Sequence, residues 1–257
     1  MKEKINVAAV SYLNTVPFLY GIQNDKDLMS QINLRLEYPS RCADLLKSGE
    51  VDISLIPIVE IPDIPTAEII GGHCIGSEGK VKTVMLYSDC PLEEIKTIAL
   101  DYQSRTSVVL AKVLAKNYWN IDFEFEETTE GYIDTISGTR AGVVIGDRAF
   151  DLKDSFSYQY DLSEEWYKFT GLPFVFACWV ANKPLSDEFK QQFDRAVKYG
   201  LDHKNMAIEV FDKKENSSIN LKRYLNEHIS CDFDQRKKTA LKKFLSLSKD
   251  LLVTSDR

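Results

Sequence analysis

The chain has 257 residues, of which 44% are hydrophobic, so it is long enough for one large domain or two lobes with separate cores. We expect two lobes. Its 32 basic and 39 acidic residues leave a formal net charge of −7, which argues against a nucleic-acid-binding protein that relies on phosphate neutralisation. A small anionic partner stays compatible with this charge, because a few well-placed arginines decide its binding locally.

The composition also argues against a membrane protein, a secreted protein and a metalloprotein. No run approaches the roughly 20 apolar residues of a membrane span, and the first residues lack the apolar core of a secretory signal. The five cysteines are odd in number and scattered, and the three histidines stand far apart with no Cys-x-x-Cys pair. We therefore expect a cytoplasmic protein with reduced thiols, no metal or other cofactor and no membrane partner.

The first predicted element is a buried strand that ends in an abrupt change of composition. Residues 5–10 are mostly apolar, and Ser11-Tyr12-Leu13-Asn14-Thr15-Val16-Pro17-Phe18 follows. This pattern favours a strand-to-helix turn in which Asn14 or Thr15 caps a helix and Pro17 lies in its first turn. Binding crevices of open α/β sheets lie at such strand ends, so Asn14 is interpreted either as a ligand contact or as a cap alone.

Strands then alternate with helices at a pace typical of parallel βαβ units, so the predicted fold class is α/β. Ser40 is the predicted cap of a helix that ends at Lys47, and Pro57 breaks the strand 51–56. Further strands are predicted at 32–38, 69–75, 81–88, 97–100, 123–126, 141–145 and 174–181, and further helices at 104–118, 132–137, 187–199, 219–227 and 233–247.

The chain is expected to cross between the two lobes twice, near residues 88–92 and 172–180, because a new series of strands and helices begins after residue 91. The predicted first lobe contains residues 1–88 and 176–257, and the second contains residues 89–175. The two crossings would form a hinge. The last helix, with Arg236-Lys237-Lys238, is expected to pack on the first lobe and to leave its lysines in solvent.

A weak internal repeat relates the two predicted lobes. Ser40-Arg41 and Ser104-Arg105 each follow a strand and lead into a helix, and residues 49–56 are echoed by residues 138–145. Arginine at a helix N-terminus conflicts with the helix dipole, and a bound anion would remove the conflict. The pattern predicts two anion-binding corners, suited to a small dicarboxylate. The alternative is that each arginine pairs with a surface acid.

The glycine-rich segment Gly76-Ser77-Glu78-Gly79-Lys80 lacks the spacing and the ending of a phosphate-binding loop, so it is interpreted mainly as a turn. Ser77 either faces the binding crevice or serves only the turn. No Gly-x-Ser-x-Gly elbow is present, and no cysteine has an evident histidine partner. Covalent acyl chemistry therefore has no support.

Several of these segments together resemble the MqnA family, the chorismate dehydratases of the futalosine route to menaquinone. The resemblance runs in order from about residue 5 to about residue 182. The segments that carry it are residues 11–18, 39–46, 49–57, 104–107, 145–147 and 171–177. One departure is Glu78-Gly79-Lys80, where relatives tend to have Asp-Gly-Pro.

The resemblance implies a type 2 periplasmic-binding-protein-like fold, with two α/β lobes joined by a hinge and a ligand cleft between them. It implies a cytosolic hydro-lyase that eliminates water from chorismate to give 3-[(1-carboxyvinyl)oxy]benzoate. Chorismate carries two carboxylates, as the paired Ser-Arg corners suggested. Loss of the ring hydroxyl and a ring proton leaves a benzene ring, so the protein need only position and polarise the substrate.

The resemblance also indicates which residues act. Asn14 is the predicted catalytic amide, hydrogen-bonded to the enolpyruvyl group or to the departing hydroxyl. The predicted substrate-binding residues are Ser11, Ser40, Arg41, Pro57, Ser77, Ser104, Arg105, Thr106, Ser107 and Asp147. Of these, Asp147 is expected to orient Arg105 or to assist proton transfer. The substrate's own side-chain carboxylate is the alternative base.

Three other functions are compatible with the same features. A non-catalytic solute-binding protein would share the fold and the hinge, although the missing leader argues against it. A ligand-sensing domain of a regulator would need a DNA-binding segment, and no helix-turn-helix is evident. The sister enzyme that makes 1,4-dihydroxy-6-naphthoate opens with Ser-Pro-Cys-Pro-Asn-Asp-Thr, which this chain lacks.

Overall fold

The computed structural model describes residues 4–215 and 220–254. Over these residues the strands are β1 (Ile5–Val10), β2 (Ile32–Glu37), β3 (Ile53–Pro57), β4 (Glu68–Ser77), β5 (Val84–Ser88), β6 (Thr97–Leu100), β7 (Glu124–Glu127), β8 (Arg140–Ile145), β9 (Tyr158–Asp161), β10 (Phe174–Ala181) and β11 (Ser230–Asp232). The α-helices are α1 (Val16–Asn24), α2 (Lys26–Gln31), α3 (Pro39–Lys47), α4 (Thr106–Leu114), α5 (Arg148–Asp151), α6 (Leu162–Thr170), α7 (Asp187–Asp202), α8 (Lys204–Glu215), α9 (Leu221–Glu227) and α10 (Gln235–Thr254).

The described residues form two compact units. The first unit lies within Met1–Ile75 and Ala177–Phe233, and the second lies within Gly76–Phe176 and Asp234–Arg257. The first two boundaries fall inside β4 and β10. Residue 219, the first residue of the helix predicted at 219–227, lies outside the described residues.

The first sheet has the strand order β11-β4-β10-β3-β1-β2. Strand β1 pairs in parallel with β2 and β3, and β10 pairs antiparallel with β3. All five residues of β3 and the last four of β1 are buried. Continuous apolar strands of this kind are typical of parallel sheets that are covered on both faces, as the alternation of strands and helices predicted.

The second sheet has the strand order β7-β6-β8-β5-β9. Strand β6 pairs in parallel with β7 and β8, and β5 pairs antiparallel with both β8 and β9. The order β7-β6-β8-β5 therefore repeats the order β2-β1-β3-β10 of the first sheet, with the same strand directions.

This repeat corrects one half of the predicted internal echo. Strands β3 and β8 are equivalent, which confirms the echo between residues 49–56 and 138–145. The two Ser-Arg corners are not equivalent, because Ser40 and Arg41 follow β2 whereas Ser104 and Arg105 follow β6, the counterpart of β1. The segment after β6 therefore corresponds to the opening turn after β1.

The division into units differs from the predicted lobes in the placement of two elements, β5 and α10. Strand β5, expected in the first lobe, pairs with β8 and β9 and therefore belongs to the second sheet. Helix α10, expected on the first lobe, belongs to the second unit, where Phe244 packs edge to face on Trp166 of α6. The lysine face expected in solvent is also interrupted, because Lys237 is 1% exposed.

Candidate functional site

The carboxyl ends of β1, β2 and β3 meet at one edge of the first sheet, because the three strands are parallel and neighbouring. Five predicted site residues lie at or just after these strand ends: Ser11, Asn14, Ser40, Arg41 and Pro57. The carboxyl edge is where open α/β sheets bind ligands. The fold thus brings these five residues to one edge of the first unit.

The opening turn is held by the hydroxyl of Thr15. Its Oγ1 lies 2.7 Å from the carbonyl oxygens of both Val10 and Tyr12, and its backbone N–H donates to the Tyr12 carbonyl. A 3-10 turn, Leu13–Thr15, separates the strand from α1. Thr15 occupies the N-cap position of α1, as predicted, but its side chain bonds back to the strand end and makes no capping hydrogen bond. Pro17 lies in the first turn of α1, as predicted.

Asn14 has an unusual environment for a polar side chain. Its Oδ1 atom is buried and accepts no hydrogen bond from the residues that the structure describes. Leaving a buried acceptor unsatisfied costs about 1–3 kcal/mol, so most buried polar atoms have partners. An amide oxygen in this state is available to a ligand that carries an O–H or N–H group.

The corner after β2 begins α3 one residue before the predicted cap. Tyr38 occupies the N-cap position and Pro39 the first helical position, so Ser40 lies within the first turn and the predicted Ser40 cap is wrong. Proline favours this position because it has no N–H to satisfy. Arg41 Nη2 lies 4.0 Å from Glu50 Oε1, with both side chains about half exposed, which makes this ion pair weak.

In the second unit, the corresponding edge carries the corner formed by residues 104–107. Ser104 Oγ accepts a hydrogen bond from the Ser107 N–H at 3.1 Å, and Thr106 Oγ1 donates to the Phe176 carbonyl. Arg105 is exposed and immediately precedes α4. The Ser104 oxygen therefore stabilises the start of α4, and its O–H group remains able to donate to an anion.

Ser77 is fully buried in the second unit, with its Oγ 2.5 Å from Ser163 Oγ. Ser163 is the second residue of α6, whose N-cap Asp161 accepts hydrogen bonds from the backbone N–H groups of Val81 and Lys82 as well. Burial raises the pKa of Asp161. The turn after Ser77 is thus tied to the start of α6, and the Ser77 hydroxyl is engaged with Ser163.

Glu78, in the same turn, contacts the first residues of α10. Its carboxylate lies 3.1 Å from Arg236 Nη1 and 3.9 Å from Lys237 Nζ. Part of the basic segment predicted to be solvated therefore pairs with an acid at the position where the chain departs from the MqnA pattern.

Asp147 lies just after β8, at the edge that also carries residues 104–107. Its expected role beside Arg105 stays a prediction. The adjacent residue forms an ion pair that the sequence analysis missed: Arg148 Nη2 lies 2.7 Å from Asp101 Oδ2. The sequence carried a signal for this pair. Asp101 is the first residue after β6, and Arg148 is the third residue after β8, which is the parallel neighbour of β6.

A protein-family model described as menaquinone biosynthesis matches residues 5–250. The chain belongs to this family. The match confirms the predicted resemblance, which rested on separate short segments between residues 5 and 182.

Two relatives of this member of the menaquinone biosynthesis family carry the name chorismate dehydratase. The protein of Campylobacter jejuni is 27% identical over 251 residues, covering 94% of this chain and 96% of the relative. The protein of Thermus thermophilus is 28% identical over 183 residues, covering 63% of this chain and 67% of the relative.

Solved structures identify the fold of this family member. A protein of Archaeoglobus fulgidus aligns with a TM-score of 0.77 at 18% identity, covering 98% of this chain and 99% of that one. A Candida albicans gene product described as having the generic periplasmic binding protein fold aligns with a TM-score of 0.62 at 15% identity, covering 96% and 90%. The menaquinone biosynthesis family member thus has the predicted periplasmic-binding-protein-like α/β fold.

Metal binding, membrane spanning and thiol chemistry can also be assessed for the described residues of this family member. Over residues 4–215 and 220–254, no group of three or more His, Cys, Asp or Glu side chains could hold a metal ion. In the same ranges, no helix has both the length and the apolar character needed to cross a bilayer. Burial raises the pKa of Cys42 and of Cys178 to about 12, so both are protonated thiols near neutral pH.

Proposed function

We propose that this protein is a chorismate dehydratase, a hydro-lyase that converts chorismate into 3-[(1-carboxyvinyl)oxy]benzoate on the futalosine route to menaquinone. The Campylobacter and Thermus relatives carry the first part of that description as their name. The family match over residues 5–250 supports a place in menaquinone biosynthesis. The structural observation that carries the proposal is the buried, unpartnered amide oxygen of Asn14 at the carboxyl edge of the first sheet.

Asn14 suits this substrate because of what chorismate offers as a hydrogen-bond donor. Both carboxylates of the substrate are acceptors when ionised, and its ring hydroxyl is the donor. Asn14 Oδ1 would accept the hydrogen bond of that hydroxyl, which is the group that leaves. The amide would thereby fix the orientation of the C–O bond that breaks.

The two carboxylates of chorismate would be held by the two arginine corners. Arg41 with Ser40 would bind one carboxylate, and Arg105 with Ser104, Thr106 and Ser107 would bind the other. Each charge-assisted contact contributes roughly 1.5–3 kcal/mol. Ser11 and Pro57 complete the proposed set of binding residues, and a substrate contact of Ser77, whose hydroxyl is engaged with Ser163, stays a prediction.

The reaction balances as the loss of one water molecule. The C–H bond at the ring carbon that bears the enolpyruvyl ether breaks, the neighbouring C–OH bond breaks, and the electron pair of the C–H bond completes the aromatic ring. Either Asp147 or the substrate's own side-chain carboxylate would accept the ring proton. The electron pair of the C–O bond stays on the departing oxygen, which takes up one proton and leaves as water. Aromatisation drives the step, so orientation and electrostatics supply the catalysis.

The test is to incubate the purified protein with chorismate and to follow the aromatic product by absorbance and mass spectrometry. An incubation without protein is the control for spontaneous breakdown of chorismate, and Asn14→Ala is the matched variant. Formation of 3-[(1-carboxyvinyl)oxy]benzoate with the wild-type protein and not without protein supports the proposal. Binding without product would assign a solute-binding protein, and turnover of the cyclic nucleoside-derived substrate would assign the naphthoate-forming sister activity.

A further inference from the structure

The Asp101 carboxylate connects three segments of the second unit. Its Oδ2 accepts the N–H of Ile145 at 2.8 Å, and its Oδ1 accepts the N–H of Gln103 at 3.0 Å. Arg148 Nη2 donates to both oxygens, at 2.9 and 2.7 Å. The carboxylate therefore joins the loop after β6 to the end of β8 and the start of α5.

Arg148 compensates the burial of this carboxylate, because Asp101 is only 1% exposed. A buried carboxylate without a cation is strongly unfavourable, so removing one partner of such a pair is costly. The guanidinium of Arg148 also lies 5.7 Å from the centre of the Tyr102 ring, within the range of a cation–π contact. Tyr102 in turn accepts a hydrogen bond from the Gln103 side chain.

The same loop leads directly into the proposed substrate corner. The Ser104 N–H donates to the Asp101 carbonyl at 3.0 Å, and the Ser107 N–H donates to Ser104 Oγ at 3.1 Å. A continuous series of hydrogen bonds thus runs from the Asp101 backbone to the start of α4. On the other side of the ion pair, Arg148 is adjacent in sequence to Asp147.

We propose that Asp101 and Arg148 are positioning residues that set the placement of the corner at residues 104–107 for the substrate. The inference rests on the proposed function for its kinetic consequence. Neither residue needs to touch the substrate, because each acts through the neighbours that do.

The experiment compares Arg148→Gln, Arg148→Lys and Asp101→Asn with the wild-type protein. The matched control is Arg140→Gln. Arg140 is the first residue of β8, at the opposite end of that strand from Arg148, and its ion pair with Glu126 of β7 is partly exposed. Steady-state kinetics with chorismate and amide hydrogen exchange of a peptide covering residues 101–107 are measured for each variant, below its unfolding temperature.

The expected result is a KM raised about tenfold in Arg148→Gln and Asp101→Asn, with kcat changed less than about threefold. Arg148→Lys should recover part of the loss, and Arg140→Gln should behave as the wild type. Hydrogen exchange should accelerate at residues 101–107 and stay unchanged over β7. An unchanged KM in a folded Arg148→Gln variant, or exchange that accelerates equally throughout the second unit, would overturn the inference.

The two proposals fail in different ways. If the wild-type protein does not turn over chorismate, the proposed function is wrong and the exchange measurement alone decides the positioning role. If the wild type is active and the exchange of residues 101–107 does not respond to Arg148→Gln, the positioning role is wrong and the proposed function stands.

Discussion

Gly200 on α7 lies against the carbonyl oxygen of Pro17 on α1 so closely that a Cβ atom at position 200 would be 1.8 Å from that oxygen. The approach is reciprocal, because a Cβ atom at Gly21 would lie 2.0 Å from the Ala196 carbonyl oxygen. The two glycines therefore allow α1 and α7 to pack backbone against backbone. Since α1 continues from the opening turn, this packing also holds the turn that carries Asn14.

Replacement of Gly200 by alanine should destabilise the first unit by about 3 kcal/mol, because the methyl group meets a backbone atom that cannot move aside independently. The measurement is thermal or denaturant unfolding of Gly200→Ala. Gly72→Ala is the matched control in the same unit, since no atom lies within 4 Å of a Cβ at that position. Equal unfolding midpoints for the two variants would contradict the proposed close packing.

Replacement of Asn14 by alanine should lower kcat about 10²-fold, the order of loss expected when a reacting bond is no longer held in position. KM should change little, because the proposed binding of the carboxylates does not involve Asn14. Steady-state kinetics with chorismate and an unfolding curve for the variant provide the measurement. Equal effects on kcat and on substrate binding would refute the catalytic role.

Arg105→Ala should mainly weaken binding, with KM raised about tenfold or more and kcat less affected, because a charge-assisted contact contributes roughly 1.5–3 kcal/mol. Titration calorimetry with the product, together with steady-state kinetics, would measure the change. A variant that binds normally but does not turn over chorismate would reverse the roles assigned to Arg105 and Asn14.

The ion pair between Arg41 and Glu50 allows a test of whether Arg41 binds the substrate, because the two residues can be replaced separately. If Arg41 only pairs with this surface acid, Arg41→Ala and Glu50→Ala should each lower the free energy of unfolding by the same small amount, within about 1 kcal/mol, and leave KM unchanged. If Arg41 binds a substrate carboxylate, only Arg41→Ala should raise KM. Kinetics of both variants, measured at the same ionic strength, decide between the two interpretations.

Thiol labelling tests the burial of the cysteines. Cys42 and Cys178, whose pKa values are raised to about 12 by burial, should be about one part in ten thousand ionised at pH 8. Cys231 is partly exposed and should react with iodoacetamide first. Mass spectrometry of digested protein locates the label. Modification of Cys42 as fast as Cys231 in folded protein would contradict this order, and denaturant should equalise the two rates.

Local patterns predicted much of the first unit correctly. The apolar run before Ser11 and the proline at position 17 are sufficient for the strand and for the first turn of α1, because both depend on neighbouring residues. Thr15 occupies its predicted N-cap position without a capping hydrogen bond from its side chain, and Ser40 does not occupy its predicted cap position. Several short-range partners compete for one hydroxyl, and only the backbone path selects among them.

The membership of β5 could not be read from its own residues. A run of buried apolar residues satisfies either sheet equally well, and the choice depends on the registers offered by β8 and β9. Helix α10 presents the same difficulty. Its apolar face could cover either unit, and the aromatic contact between Phe244 and Trp166 decides in favour of the second.

The sequence by itself determined the α/β class, the family and the presence of Asn14 and two arginine corners at strand ends, because short-range periodicity and contiguous motifs specify them. Only the tertiary structure decided that the segment after β6 is the counterpart of the opening turn, that Asp101 pairs with Arg148, and that Gly200 packs against the Pro17 carbonyl. Each of these features joins segments far apart in the chain, where long-range packing and charge compensation leave no periodic signal along the sequence.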